Sequence, residues 1–237
     1  MNYQPRALRT DWIGIGIFFA VAALWSWAAA HFAVLAWPGS GEPPRFDTSI
    51  VAGFGPAVGG LVAILTRPGH GHGFGAFAGR SKLAAGAALL VPVVSLAIAG
   101  LAARSWNAHL SGAIFALSVT VYAIGEELGW RGWLRTALSS LPSGTAILVT
   151  AALWYAWHWT FLAEQLRQPQ FGLGFAAGIL LGSWGLHLAA GRSGGTAIPA
   201  AWHAASKAMG LPLQIAAMVI TLAWATWQSG RSEQPRA

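Results

Sequence analysis

Apolar runs about the length of a bilayer crossing recur from Trp12 almost to the C-terminal tail. Short polar breaks rich in Gly and Pro separate them. At about 20 residues per span, the runs predict about eight helices, at 12–37, 49–66, 83–103, 110–137, 143–163, 171–190, 194–209 and 211–228. The seventh run is short and weakly apolar, which suits a half-helix enclosed within the bundle, away from lipid. The breaks carry turn chemistry: Pro38 to Pro44 and Arg67-Pro68-Gly69 stop the chain, Leu141-Pro142-Ser143-Gly144 ends the fourth helix, and Arg192 to Gly195 precedes the seventh. The runs are continuous rather than alternating, which argues against a β-barrel.

Composition sharpens this into an all-α, polytopic membrane helical bundle. Of 237 residues, 55% are hydrophobic and 9% charged, and the mean hydropathy is +0.54. A water-soluble domain carries about 25% charged residues. One integral-membrane domain, 1–237, uses the whole length, with its chemistry concentrated at about 110–209. The run from Trp12 to Trp37 exceeds the core of a cleaved signal and is expected to stay as the first span.

Net charge is +7, but the basic residues are scattered between apolar runs. That pattern fits topology signals and contact with anionic lipid headgroups. It lacks the clustered face that nucleic acid requires. Counting Lys and Arg in the breaks gives eight on one side (Arg6, Arg9, Arg67, Arg80, Lys82, Arg192, Arg231, Arg236) against three (Arg45, Arg104, Arg167). The expected location is the cell membrane, multi-pass, with both termini cytoplasmic. The chain has no cysteine, which removes disulfides, thiolate metal sites and a Cys nucleophile. Small residues at four-residue spacing, Gly55 and Gly59, then Gly174, Gly178 and Gly182, predict close helix packing.

The chemistry begins with Glu126 and Glu127, adjacent within an apolar run. A carboxylate at membrane depth costs about 2.5–3.5 kcal/mol on insertion scales, so the pair implies a partner, a bound cation or a reaction. Glu127 and Arg131 are spaced i, i+4 and share a helix face, so an internal ion pair is expected. Glu126 is rotated about 100° away and is the better candidate for a functional carboxylate. His158 lies in the aromatic segment Leu153 to Phe161. His203 precedes Ser206 and Lys207, and Lys207 sits one turn beyond it on the same face, placed to serve as a counter-ion. Each of these histidines alone would be a packing residue. With Glu126 they form a set from three helices, able to bind a catalytic metal or to activate a water as general base. His70 and His72 suit a loop better than a surface metal site. His31, His109 and His187 read as structural, and Asp11 as a cap of the first helix. No G-x-S-x-G motif supports a serine nucleophile.

These residues, in this order, resemble the CAAX-processing and bacteriocin-processing (CPBP) family of intramembrane proteases, which includes the type II CAAX prenyl endopeptidases. Glu126-Glu127-Leu-Gly-Trp-Arg131 is similar to its Glu-Glu-x-x-x-Arg motif. Trp154 and His158 match its aromatic-then-His motif, with Trp in place of Phe. His203 matches the start of its His-x-x-x-Asn motif, and Lys207 stands in the Asn position. Gly55-Pro56 in the second run also looks typical. The resemblance implies Glu126 as the base that activates water, assisted by His158, with His203 stabilising the oxyanion. Glu127 and Arg131 would brace the site, and Trp154, Ser206 and Lys207 would support it. The motif leaves both mechanisms open, a glutamate-activated water or a divalent metal such as zinc on Glu126, His158 and His203, and the expectation here is no tightly bound zinc. The implied partners are membrane lipids and a peptide or protein substrate, prenylated or a leader peptide. Lys207 cuts two ways: it can stabilise an oxyanion, or it can pair with Glu126 and weaken the base. Two other classes stay open: a proton- or cation-coupled transporter, and a non-catalytic scaffold or immunity-type protein.

Overall fold

The computed structural model describes residues 9–32, 49–70, 72–102 and 106–208. Helices follow seven of the eight expected runs, and the described residues contain no strand. They are α1 (Trp12–Phe32), α2 (Ser49–Gly53), α3 (Gly55–Thr66), α4 (Lys82–Ala102), α5 (Trp106–Glu127), α6 (Arg135–Ala137), α7 (Ser143–Leu166), α8 (Pro169–Ser193) and α9 (Ala197–Ala208), with a π-helical segment, Leu128–Leu134, joining α5 to α6. The eighth run, 211–228, lies outside the described residues. So do five of the eleven residues used for the charge count: Arg6, Arg45, Arg104, Arg231 and Arg236.

Four helices are long and apolar enough to cross a bilayer, against about eight expected: Trp12–His31, Ala108–Ala137, Ser143–Leu166 and Pro169–Ser193. Ile50–Thr66 and Lys82–Ile98 are apolar but shorter. The second run is interrupted at Phe54, where Pro56 restarts the helix in its first turn. A proline there lacks only an N–H that a helix start would leave unbonded. The weak seventh run is α9, and its residues 197–205 are buried. Helix α7 runs three residues beyond its expected end and carries Glu164, exposed, in its last turn.

The rod formed by α5, the π segment and α6 is the spine. Helices α2 and α3, α4, and α9 pack along it, α1 lies on α3, and α7 and α8 pair beside it. Glycine decides how close these helices come. At Gly129 a β-carbon would run into Pro56, and at Gly125 it would sit 2.8 Å from the Gly53 carbonyl oxygen. Gly55 and Gly59 meet α1 at Ser26, Ala22 and the Phe18 carbonyl, as the small-residue spacing predicts. Gly174 and Gly178 have nothing within 4 Å, and Gly182 meets only the Trp154 ring at ordinary contact distance. That series therefore does not bring helices together among the described residues. Phe18, Trp130, Trp133 and Trp157 fill the centre. Phe18 packs edge-on to Trp130 at 5.1 Å and stacks on Trp133 at 5.0 Å.

One end of the bundle is tied by polar contacts. The Asp11 carboxylate caps α1 by accepting from Gly14 N–H at 3.1 Å. It also accepts twice from Arg67, at 3.1 and 3.0 Å, joining the start of α1 to the end of α3. Arg80 N–H donates to the Ser193 carbonyl at 2.8 Å, and the Thr10 and Ser140 hydroxyls hydrogen-bond each other. Arg67 and Arg80 anchor these contacts, with Lys82 and Arg192 adjacent in sequence to Ser81 and Ser193.

Gly129→Ala is expected to lower stability by about 1–3 kcal/mol, because the methyl has no space and Pro56 backbone cannot yield. Gly178→Ala should be neutral or stabilising by up to about 1 kcal/mol. Thermal unfolding in detergent of the two variants compares them. The hydrogen bonds from Arg67 hold the Asp11 carboxyl below the usual carboxylate range, with burial opposing. A depressed folded-state value means stability that is present above the unfolded Asp range and lost as pH falls through the folded value. Asp11→Asn should therefore flatten the acid limb of the stability–pH profile and leave its shape near neutral pH unchanged.

Candidate active site

The two glutamates close α5, and the helix widens into the π segment with the next residue. Such wide turns are rare and recur at functional sites. Close contacts at Gly125, Gly129 and Gly132 press this stretch against α2, α3 and the 72–77 loop. Both carboxylates are buried at 0% exposure and face inward.

The expected ion pair forms: Arg131 Nη1 donates to Glu127 Oε1 at 2.9 Å. His203, from α9, donates through Nδ1 to the same oxygen at 2.9 Å. Its Nε2 lies 3.9 Å from Glu126 Oε1, so one imidazole spans both carboxylates. Lys207, one turn along α9, places Nζ 3.6 Å from Glu126 Oε1 and 3.3 Å from the centre of the Tyr122 ring. Trp154 on α7 donates its indole N–H to Glu126 Oε2 at 2.7 Å, and its ring lies 4.4 Å beneath the Arg131 guanidinium.

His158 follows one turn after Trp154. Its Nδ1 donates to the Trp154 carbonyl at 2.7 Å, which leaves the Nε2 lone pair available in the neutral ring. Trp157, Phe161 and Phe175 enclose it, with ring centres at 4.9, 5.4 and 4.8 Å. It stands within electrostatic reach of Glu126.

Glu126, Glu127, Arg131, Trp154, His158, His203 and Lys207 are therefore brought to one place by α5 with its π segment, α7 and α9. Ser206 does not add a clear donor, because its hydroxyl donates to the His203 carbonyl at 2.7 Å. The metal set Glu126, His158 and His203 does not hold. Among the described residues no three His, Asp or Glu side chains gather as ligands. The Lys207 ammonium also lies 3.6 Å from Glu126 Oε1, beside the carboxylate a cation would need. His70 and His72 are loop anchors: Arg67 Nη2 contacts His70 Nε2 at 3.0 Å, and His72 Nε2 meets the Arg9 carbonyl at 3.2 Å. Tyr122 was missed in the sequence, although it lies one turn before Glu126 in the spacing that paired Glu127 with Arg131.

Charge explains the cluster's tolerance of burial. Two carboxylates face one guanidinium and one ammonium, so the formal charges of these four cancel. Removing one partner of such a pair costs about 3–5 kcal/mol, because the other is left buried and uncompensated. Glu126 Oε1 nevertheless accepts no hydrogen bond, although it is buried. Charge reaches it from two sides, and the Tyr122 side chain also hydrogen-bonds the Glu126 carboxylate.

Residues 107–209 match a family model, the type II CAAX prenyl endopeptidase Rce1-like family. No curated protein and no solved structure matches the chain. The match covers the glutamate helix, both histidines and Lys207, and leaves α1 to α4 outside it.

Trp154→Phe preserves the aromatic packing and deletes only the donor to Glu126 Oε2. The expected loss of stability is about 1.5–3 kcal/mol, read as a lower unfolding midpoint. A neutral Trp154→Phe would mean that the carboxylate finds another donor.

Proposed function

We propose, from the match of residues 107–209 to the Rce1-like type II CAAX prenyl endopeptidase family, that the chain is a membrane protease of that family and hydrolyses a peptide bond within or near the bilayer by a glutamate-activated water. The observation that carries this is Glu126 Oε1: buried, without a hydrogen bond, and flanked by His203 Nε2 at 3.9 Å and Lys207 Nζ at 3.6 Å. A water donating to that oxygen would meet a base on one side and positive charge on the other.

In this reading Glu126 takes a proton as the water oxygen bonds to the scissile carbonyl carbon. Negative charge builds on the carbonyl oxygen, beside the Lys207 ammonium and, when both ring nitrogens of His203 carry a proton, its Nε2–H. Preorganised positive charge in a water-poor site is the strongest kind of transition-state stabilisation. His158 directs its Nε2 lone pair at the attacking water. When the tetrahedral adduct collapses, the C–N bond breaks and Glu126 returns the proton to the departing amine. Glu127 does not enter the chemistry. It orients His203 through Nδ1, much as a carboxylate fixes an imidazole in other hydrolytic sites. Arg131 holds Glu127 in turn, and Trp154 fixes the second oxygen of Glu126. The substrate is a membrane-associated peptide, prenylated or a leader peptide. The chain is multi-pass, with the end carrying Arg67, Arg80, Lys82 and Arg192 in the cytoplasm.

A second reading is favoured by the same Lys207–Glu126 contact. An ammonium paired with the base holds it as a quiet carboxylate, which suits a non-catalytic scaffold. The transporter alternative has no observation of its own beyond the buried carboxylates.

With a prenylated C-terminal peptide as substrate, Glu126→Gln and His158→Ala are each expected to lower kcat by about 10²–10⁴ while the proteins stay folded. Lys207→Ala is expected to cost about 10²–10³ in kcat. Faster cleavage by Lys207→Ala would assign Lys207 as a latch. Unchanged biological function in Glu126→Gln would move the protein to the scaffold class.

A further inference from the structure

Arg131 has two working edges, and the active site uses one. Nη1 is bonded to Glu127, while Nε and Nη2 are buried and meet no acceptor in the protein. Those two atoms form the side-on fork of a guanidinium, whose parallel N–H bonds match the two oxygens of a carboxylate. Arg131 lines a small pocket of about 40 Å³, together with Phe74, Gly132, Arg135 and Thr196. That is roughly three times what one water needs, enough for a carboxylate group and too little for a nucleotide or a sugar.

The other walls are also suited to an anion. Arg135 has no ion-pair partner among the described residues, and burial half-encloses it. Thr196 is 2% exposed, and its hydroxyl has no partner. It immediately precedes α9, where a threonine normally caps the helix by accepting from an N–H two or three residues on. The residue three on is Pro199, which has no N–H to offer. The Thr196 hydroxyl does not take the Ile198 N–H, two on, either, and the positive end of the α9 dipole faces the same region. Close backbone contacts of Gly79 with residues 193–195 hold the 72–81 loop against the start of α9. The pocket is thus bounded by elements that the polar contacts at this end keep in place.

We propose that this pocket is a binding site for a single carboxylate group, held by the Nε–Nη2 edge of Arg131, the Arg135 guanidinium and the Thr196 hydroxyl. The carboxylate is either a free small anion or the C-terminal carboxylate of a peptide. Its site is separate from Glu126 and joined to the active site only through the opposite edge of Arg131. The proposal does not depend on the protein being a protease.

The test uses the full-length protein in detergent, with sodium acetate replacing sodium chloride at constant ionic strength. Acetate is expected to raise the unfolding midpoint saturably, by about 2–4 °C at concentrations well above Kd. Arg135→Gln and Thr196→Val should each weaken the apparent affinity, Arg135→Gln by roughly tenfold. Thr196→Val removes only the hydroxyl, so it keeps the test decisive if Arg135→Gln is unstable. A short peptide with a free C-terminus is then compared with its C-terminal amide. Tighter binding of the acid, lost in the variants, assigns the pocket to peptide termini; equal binding of acid and amide with an intact acetate response assigns it to a free anion. No saturable acetate or acid-peptide effect in the wild type, or one unchanged in the folded variants, would overturn the proposal. Because binding is the readout, failure here leaves the cleavage reading standing, and failure of cleavage leaves this one standing.

Discussion

Two adjacent carboxylates buried in an apolar bundle are the constraint on which the rest of the structure turns. Neither can be hydrated, so each must be met by charge or donors from the protein. Glu127 is met by Arg131 and His203; Glu126 by Trp154 and Lys207. Those partners come from the π segment, α7 and α9. The helices that supply them are thereby fixed relative to α5 in rotation as well as in distance. A helix sliding by one residue would leave a buried charge unmatched, a cost of about 3–5 kcal/mol, comparable with the net stability of many domains. The polar cluster therefore specifies the packing of α7 and α9 in a way that apolar contacts, tolerant of small shifts, do not.

Compensation is unequal between the two glutamates, and the inequality separates a braced carboxylate from one with an open oxygen. Glu127 is bonded at one oxygen to two donors, and acts as a fixed counter-charge. Glu126 has one oxygen secured by an indole and the other facing two positive or protonatable groups beyond hydrogen-bond distance. A secured oxygen positions the group, and an unsecured one can bind a donor. The Phe-to-Trp change in the second motif contributes directly here, since a phenyl ring could not hold Glu126 Oε2. The Asn-to-Lys change acts on the other oxygen. The two departures from the family pattern thus both converge on Glu126, one on each oxygen, so its environment differs from the one the resemblance implies.

The helical class, the boundaries of most helices and nearly the whole site were legible in the sequence. The reason is that a charge in an apolar run has few physical explanations. Glu126, Glu127, Arg131, His158, His203 and Lys207 stood out against their background, and their i, i+4 relations named two of the contacts. What was not legible depended on backbone geometry. The π segment after Glu127 carries no local signature; within it Gly129 and Gly132 pack closely on Pro56 and Phe74, which are distant in sequence. The break at Phe54 was hidden inside one hydrophobic run. Four helices among the described residues are long and apolar enough to cross a bilayer where eight runs were counted, because an apolar run says only that a segment avoids water; α9 is short, and its residues 197–205 are buried against the protein.

Arg131 shows how one side chain extends this logic past the glutamates. A guanidinium has five N–H donors, and Glu127 accepts from only one of its nitrogens. Burying such a group with its Nε–Nη2 edge unmatched is costly, in the same way as burying a carboxylate. The sequence predicted the i, i+4 pair and treated Arg131 as satisfied by it. Geometry leaves it half satisfied, next to a second arginine with no carboxylate partner among the described residues and the unpartnered Thr196 hydroxyl. The excess positive charge at this point has no protein anion to answer it among the described residues. The same rule that identified Glu126 from the sequence, that a buried charge implies a partner, therefore applies a second time, with the signs reversed, on the far side of the residue that braces the site.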